Sequence, residues 1–158
     1  KLDHLPAIFE VASGGNHTIA LDENGRVWSW GLNSVNQLGC ATVSSTYCSI
    51  PVHVQGLPMS IIAISAGGNY SAAIDSSHNL WVWGSHARSW DYIDPQACLP
   101  HKVQTDSPII SVSCGLTHAV AIDIDNNLYS WGQNNYGQLG LCKFLWRCTE
   151  QKNPTRIL

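Results

Sequence analysis

The sequence predicts an all-β protein made of three four-stranded antiparallel sheets, arranged as blades of a β-propeller. One pattern occurs three times in the 158 residues, and its matching residues Trp30, Trp83 and Trp131 recur at intervals of 53 and 48. A fixed period near 50 residues indicates a repeat architecture. Each copy also contains four short segments of strand character separated by turn residues, which indicates four-stranded units.

The composition fits one folded domain. Hydrophobic residues make up 44% of the chain, and the length is that of a single domain. We therefore predict one domain over residues 1–158, with repeats at approximately 6–54, 58–103 and 108–158. The formal net charge is −3 without a run of Lys or Arg, so we expect no direct binding of nucleic acid. No apolar stretch approaches the ~18 residues of a membrane helix, so no membrane segment is expected.

Each repeat opens with an apolar segment rich in β-branched residues, at positions 8–11, 61–64 and 109–112. Such short runs, bounded by turn residues, predict strands. A glycine follows each segment, at positions 14, 67 and 115. Because glycine lacks a Cβ, it suits a tight corner between strands where backbones approach closely.

The second strand of each repeat alternates between large and small side chains. In the first repeat His17, Ile19 and Leu21 lie on one side, and Thr18 and Ala20 lie on the other, as the two-residue period of a strand requires. The other repeats alternate in the same way. A face that is small in every repeat predicts that another sheet packs closely against it.

An Asp opens the turn after each second strand, at positions 22, 75 and 123. Gly or Asn follows where a left-handed conformation is needed. The third strand then carries two aromatic residues at i and i+2, which are Trp28 and Trp30, Trp81 and Trp83, Tyr129 and Trp131. Both rings lie on one face of the strand. We predict that they are core residues, and that the aromatic face of one sheet packs on the small face of another.

A long loop and a fourth strand complete each repeat. The fourth strands begin with Pro at positions 51, 100 and 154. Proline favours the start of a strand or an edge strand, since it has no backbone N–H to donate. Each repeat is therefore predicted to consist of four antiparallel strands.

These residues resemble the RCC1 repeat, named after the regulator of chromosome condensation. The resemblance rests on Gly-x-x-His at 14–17, the Asp-x-x-Gly turn at 22–25, Trp30-Gly31, and Gln-Leu-Gly at 37–39 and 138–140. The second repeat matches through Trp83-Gly84 and then departs from the pattern. The resemblance implies a seven-bladed ring, which three repeats are too few to close. A longer chain, association of copies through open blade edges, and an open arc all stay open.

The resemblance implies a protein–protein interaction module, with a small GTPase as a candidate partner. The alternatives are a guanine-nucleotide exchange factor for a Ran- or Rab-like GTPase and a passive structural scaffold. In family members that promote exchange, the acting residues lie largely in the Gly-x-x-His loops. The matching positions are our candidates for partner binding, and they are Asn16, His17, Asn69, Tyr70, Thr117 and His118.

Two features weigh against exchange. The family loops include acidic residues, whereas none of the positions between Gly and His is acidic here. The extra hairpin of the exchange factors has no clear counterpart, apart from the irregular loop at 85–99. That loop adds Arg88, Trp90 and Tyr92 as candidate partner contacts, since Arg, Trp and Tyr are typical binding hot spots; an ordinary variable loop is the alternative.

His17 and His118 also have a structural interpretation, in which each hydrogen-bonds a backbone group and holds a strand corner. The Tyr70 hydroxyl could do the same. Whether the chain is an enzyme stays open, and we lean against it because GxSxG, HExxH and phosphate-binding glycine motifs are absent from the sequence. Any activity would be regulatory exchange rather than covalent chemistry. We therefore expect no catalytic residue, cofactor or metal site.

Six cysteines occur at positions 40, 48, 98, 114, 142 and 148. We expect free thiols, because a repeat fold with this much apolar residue needs no disulfide. Local bridges between Cys40 and Cys48, or between Cys142 and Cys148, are the alternative, and zinc binding is the weakest option because no CxxC spacing occurs. The expected location is cytoplasmic, with a nuclear location and delivery into a host cell as open alternatives.

Overall fold

The structure is a computed structural model that describes residues 5–41, 45–85, 99–142 and 148–157. Twelve β-strands form three four-stranded antiparallel sheets in this part of the chain, and no helix occurs in it. The strands are β1 (Ile8–Ser13), β2 (His17–Asp22), β3 (Val27–Leu32), β4 (Tyr47–His53), β5 (Ile61–Ala66), β6 (Tyr70–Asp75), β7 (Leu80–Gly84), β8 (His101–Lys102), β9 (Ile109–Cys114), β10 (His118–Asp123), β11 (Leu128–Gly132) and β12 (Gln151–Arg156). The predicted fold class is confirmed.

Each sheet follows the chain order, so every strand pairs with its neighbour in sequence. Strands β1–β4 form blade 1, β5–β8 form blade 2, and β9–β12 form blade 3. The fourth strands differ in length: β4 has seven residues and β12 has six, whereas β8 has two. Blade 2 therefore has the shortest outer strand, and the part of the repeat that departs from the common pattern comes directly before it.

Small and aromatic side chains lie on the same face of each blade. Ala20 is opposite Trp28, and Thr18 is opposite Trp30, in the register of β2 and β3. Residues directly opposite each other in an antiparallel pair point to the same side. The expectation that aromatic residues of one sheet pack on small residues of another is therefore wrong. Each blade has one small–aromatic face and one aliphatic face.

The aliphatic face of each blade packs on the small–aromatic face of the next. Between blades 1 and 2 the buried cluster consists of Ile19, Leu21, Val27 and Val54 from blade 1, and Ile61, Ile64, Ala66, Ala73 and Trp83 from blade 2. Between blades 2 and 3 it consists of Tyr70, Ala72, Ile74, Leu80 and Val82 from blade 2, and Ile109, Ala119, Ala121, Tyr129 and Trp131 from blade 3. Small residues on β6 and β10 leave room for the neighbouring aliphatic side chains.

The predicted turns that begin with Asp are present in all three repeats, and in each the Asp side chain also accepts a hydrogen bond from the first aromatic residue of the third strand. The Asp22 Oδ1 atom accepts hydrogen bonds from the backbone N–H groups of Asn24 and Arg26, at 2.8 and 3.0 Å, and Oδ2 accepts one from the Trp28 indole at 3.0 Å. Asp75 accepts the Trp81 indole at 2.9 Å, and Asp123 accepts the Tyr129 hydroxyl at 3.1 Å.

These hydrogen bonds also set the acidity of the turn carboxyls. Burial alone would raise the pKa of Asp22, but the hydrogen bonds from Trp28, Arg26 and Asn24 outweigh it and hold the pKa below its ordinary value. The pKa values of Asp75 and Asp123 are lowered by the same balance. All three carboxyls are therefore ionised at neutral pH, as acceptors of several donors should be.

The left-handed position of these turns is filled by three different residue types. Gly25 has φ of 74°, His78 has φ of 61°, and Asn126 has φ of 63°. Gly and Asn match the expected preference for this conformation. In blade 2 the prediction is wrong, because His78 takes this conformation and Asn79 does not.

The free-thiol expectation is wrong for one pair of cysteines. Cys142 and Cys148 form a disulfide within the repeat-three loop. Cys40, Cys48 and Cys114 form no disulfide, so the prediction of a bridge in repeat one is not met, and Cys98 lies outside the described residues. Burial raises the pKa of the Cys114 thiol to about 11, which keeps that thiol protonated at neutral pH.

Candidate functional site

Three corner loops, one before each second strand, stack on each other at one end of the blades. The Gly15 N–H donates to the carbonyl oxygens of Gly67 and Gly68, at 3.1 and 2.9 Å, and the Gly68 N–H donates to Gly115 at 3.2 Å. A Cβ on Gly14 would collide with the Gly67 carbonyl oxygen. The glycines therefore allow the loops of successive blades to join backbone to backbone.

Two further loops lie against the corner loops. The Leu32 N–H donates to the Asn16 carbonyl oxygen at 2.8 Å, and the Gln133 N–H donates to that of Thr117 at 2.9 Å. The Gln37 side-chain amide of blade 1 reaches the Asn69 side-chain oxygen of blade 2 at 3.4 Å. We call the surface formed by residues 14–16, 67–69, 115–117, 33–36 and 134–137 the loop rim. None of these residues is charged.

The loops of the rim that follow β3 and β11 are held by their own amide side chains. The Asn33 side-chain oxygen accepts the Leu38 N–H at 3.1 Å, and that of Asn134 accepts the Leu139 N–H at 3.0 Å. The Gln138 side-chain oxygen accepts the Tyr136 N–H at 2.9 Å. These local bonds hold the backbone of both loops in place.

His17 and Tyr70 lie between blades rather than on the loop rim. The His17 Nε2 atom is 2.8 Å from the Ser71 hydroxyl oxygen of blade 2, while the buried Nδ1 atom has no hydrogen-bond partner. Burial lowers the pKa of His17 to about 4, so the ring is neutral at physiological pH. The Tyr70 hydroxyl donates to the His118 carbonyl oxygen of blade 3, and burial raises the pKa of that hydroxyl.

The other predicted residues remain reachable from solvent where they are described. Asn16 and Asn69 are exposed on the loop rim, and Thr117 and His118 are half-buried at its blade 3 end. Arg88, Trp90 and Tyr92 lie outside the described residues. The structure therefore brings Asn16, Asn69 and Thr117 onto one surface, while His17 and Tyr70 join the blades beneath it.

Two exposed residues of the loop rim were missed by the sequence reasoning. Leu116 is 75% exposed and Tyr136 is 95% exposed, both on blade 3. Leu116 stands where the other repeats have Gly15 and Gly68, and Tyr136 stands where repeat one has Val35. A departure from the repeat toward a larger apolar or aromatic residue was the signal that could have revealed them.

The chemistry available on the loop rim is that of recognition. Side-chain amides and backbone groups supply neutral hydrogen bonds, and Leu116 and Tyr136 supply apolar contacts. Among the described residues no group of three or more His, Cys, Asp or Glu side chains is placed to hold a metal ion. The same part of the chain contains no helix long and apolar enough to cross a membrane.

Comparison with known families matches this repeat structure. The family model of the regulator of chromosome condensation (RCC1) repeat matches residues 24–74 and 125–158, which together exceed half of the chain. The chain belongs to the RCC1 repeat family. A second model of the same repeat matches residues 10–37 and 109–138.

Two relatives show how much of a larger protein the chain spans. The RCC1 domain-containing protein RUG3 of Arabidopsis thaliana is 38% identical over 79 residues, which cover 49% of this chain and 17% of that protein. The mouse regulator of chromosome condensation is 31% identical over 110 residues, covering 66% of this chain and 26% of the mouse protein. The chain thus spans well under half the length of these relatives.

A solved structure of Prp20p from Saccharomyces cerevisiae shares the fold. It superposes with a TM-score of 0.81 at 27% sequence identity, covering 98% of this chain and 39% of Prp20p. The structural study of Prp20p also covers its binding properties to Gsp1p and histones. The match extends over all three blades and supports the β-propeller assignment.

Proposed function

We propose that this chain is a protein-binding module whose partner docks on the loop rim, with a small GTPase as the partner class. The observation that carries the proposal is the continuity of the rim. Backbone hydrogen bonds join its loops across three blades, so one partner could contact all three repeats at once. Repeat proteins commonly bind through a surface that several repeats build together.

The distribution of apolar contacts supports a partner centred on blade 3. Leu116 and Tyr136 are the large exposed side chains of the rim, and the backbone bond between Gln133 and Thr117 joins the segments that carry them. Tyrosine is enriched among the residues that dominate binding energies, usually inside a ring of weaker contacts. The asparagines of blades 1 and 2 would form that weaker surround.

The similarity to Prp20p supports a small GTPase as the partner class. RCC1 repeats occur in Prp20p, which binds Gsp1p, and the resemblance of the Gly-x-x-His loops to those of exchange factors points to a small GTPase. The uncharged rim supports binding more than exchange, since it supplies no acid to act on nucleotide or its metal ion. We therefore propose recognition of the GTPase without acceleration of nucleotide release.

The proposal is tested with purified small GTPases in a binding assay and a fluorescent-nucleotide release assay. Tyr136→Ser and Leu116→Gly should each weaken the affinity for the bound GTPase at least tenfold, equivalent to about 1.4 kcal/mol. Ile124→Ser is the matched control, because Ile124 is exposed in the turn at the opposite ends of the strands. It should leave the affinity unchanged.

The outcomes separate the parts of the proposal. Binding that survives both rim substitutions would remove the loop rim as the docking surface. If none of the GTPases binds, the proposal that the partner is a small GTPase is refuted. Faster nucleotide release on binding would show exchange activity and contradict recognition alone.

A further inference from the structure

A groove opens between the outer strands of blades 2 and 3. It has a volume of about 310 Å³, at the lower end of the range typical of ligand pockets. Both of its walls are blades that the structure describes, and none of the described residues that line it belongs to the loop rim. The groove is therefore a second surface, separate from the docking site proposed above.

One wall of the groove contains an indole group without a hydrogen-bond acceptor. Trp131 of blade 3 lines the groove and is 4% exposed. Its counterpart Trp83 donates its indole N–H to the Gln37 carbonyl oxygen of the preceding blade at 3.0 Å. The Trp131 N–H has no acceptor in the described part of the chain, and the counterpart of Gln37 in repeat two lies outside that part.

The Trp131 nitrogen is accessible although the ring as a whole is buried. Within the described residues, His17 Nδ1 is the one fully buried side-chain nitrogen or oxygen that lacks a partner. The Trp131 Nε1 atom also lacks a partner, so it is not fully buried, and the groove is the opening that its ring lines. An unpaired donor on an otherwise buried ring favours an acceptor from outside the chain, because leaving it unpaired costs free energy.

The groove also has a positive charge. Lys152 follows Gln151, which is opposite Gly132 in the register of β12 and β11, so Lys152 lies alongside Trp131. Lys102 lines the groove from blade 2. No Asp or Glu is among the described residues that line the groove, although the chain as a whole has a net charge of −3. The groove is therefore a local site of positive charge that favours an anionic ligand.

The remaining lining suits an extended chain more than a free ion. Val82 and Val103 of blade 2 and Pro154 of blade 3 give the groove apolar walls. Strands β8 and β12 are the edge strands of their sheets, and β8 has only two residues. Extended segments commonly bind along sheet edges, where pockets accept alternate side chains.

We propose that this groove binds an acidic segment of a partner protein. A Glu or Asp carboxylate of the segment accepts hydrogen bonds from the Trp131 indole and the Lys152 ammonium group, while its aliphatic atoms pack between Val82 and Val103. Hydrogen bonds to a carboxylate are stronger than those between neutral groups. The site is independent of the loop rim, so it operates whether or not a small GTPase docks there.

The test is the affinity of the purified chain for short capped peptides in which Glu alternates with Val, measured by calorimetry. The wild type should bind these peptides, and replacement of every Glu by Gln should abolish binding. Raising the salt concentration should weaken binding, because the groove attracts its ligand partly through charge. Lys152→Gln, a change of an exposed side chain, should weaken binding about threefold.

Trp131→Phe and Trp83→Phe form a matched pair. Both substitutions remove one indole N–H and the same ring volume, but only Trp131 lines the groove. Trp131→Phe should weaken peptide binding at least tenfold, whereas Trp83→Phe should leave the affinity unchanged. Circular dichroism of each variant should match the wild type.

The other outcomes contradict the proposal. It is overturned if the wild type binds no acidic peptide, if the Gln peptides bind as tightly, or if Lys152→Gln and Trp131→Phe both retain full affinity. Free glutarate that binds as tightly as the peptides would show a site for small anions, which would overturn the assignment to a protein segment. None of these results depends on GTPase binding, so they leave the proposal for the loop rim to its own test.

Discussion

The blade faces that pack against a neighbouring blade differ sharply in exposure from the outer faces of blades 1 and 3, although both are built from the same repeat positions. Leu80 is fully buried against blade 3, whereas Leu128 at the same position is exposed at the end of the array. The side-chain chemistry is identical at this pair. The comparison shows that a repeat sequence prepares a face for burial, while the neighbouring blade determines whether it is buried.

The two inner interfaces also differ from each other in how their polar groups are satisfied. Between blades 1 and 2 the link is from the His17 ring to the Ser71 hydroxyl. Between blades 2 and 3 it is from the Tyr70 hydroxyl to the His118 backbone. Tyrosine reaches a backbone acceptor in place of a side chain, which lets blade 3 have Ala119 where blade 2 has Ser71.

The largest difference in the free energy of unfolding between a covered and an uncovered position is expected at the matching tryptophans. Trp83 is fully buried between blades 1 and 2, while Trp30 is half-buried on the small–aromatic face of blade 1. Trp83→Ala should lower the free energy of unfolding by about 3–5 kcal/mol, since it removes a large buried side chain and leaves a cavity. Trp30→Ala should lower it by less than half as much. Urea unfolding of both variants measures the difference, and equal losses would refute the contrast.

His17 and the carboxyl groups of the turns should reduce the stability of the protein in different pH ranges. The pKa of His17 falls from 6.5 to about 4 on folding, so the unfolded chain binds more protons between these values. Stability should therefore fall as pH drops from about 6.5 to 4, by on the order of 3 kcal/mol in total. The pKa values of Asp22, Asp75 and Asp123 are lowered on folding, so their contribution is lost only below about pH 4.

His17→Tyr is the informative variant for this prediction, because blade 2 has Tyr70 at the same position. The fall in the urea midpoint between pH 6.5 and 4 should be strongly reduced in this variant. His118→Tyr should retain the fall. A wild-type midpoint that is flat across this window would contradict the assigned cause.

The smallest difference in unfolding free energy is expected between the hydroxyl groups of Ser71 and Thr18, which occupy matching repeat positions. Ser71→Ala should lower the free energy of unfolding by about 1–2 kcal/mol, because it leaves the buried His17 ring without its hydrogen-bond partner. Thr18→Ala, at the matching position on the small–aromatic face of blade 1, should change it by less than about 0.5 kcal/mol. Thermal or urea unfolding of the two variants compares them directly, and a similar loss at both sites would argue against a special role of the inner interface.

Much of the fold was predictable because its signals are local. The alternation in β2, the Asp turns and the paired aromatic residues of β3 each occupy fewer than ten consecutive residues, and strand periodicity and turn chemistry act over that distance. Which residues of neighbouring strands lie opposite each other could not be predicted from such local signals. The register placed Ala20 opposite Trp28, so the small and aromatic residues share a face, contrary to expectation.

The candidate site, like the fold, could be predicted from the sequence only in part. The sequence indicated the corner loops, and the structure places Asn16 and Asn69 on an exposed rim while His17 and Tyr70 join the blades. Leu116 and Tyr136 became candidates only when their exposure was known. The bridge between Cys142 and Cys148 could not be chosen from cysteine spacing alone, since the two cysteines in the matching loop of repeat one form no disulfide.

The sequence by itself determined the all-β class, the three repeats, the residues of each turn and the membership of the RCC1 repeat family. These properties follow from short-range periodicity and from backbone preferences of Gly, Asn and Asp. Only the tertiary structure decided which face of a blade meets its neighbour, which histidine is buried and which apolar residues stay exposed. Burial depends on atoms distant in the chain, and the same side chain is part of the core when another blade covers it and part of the surface when none does.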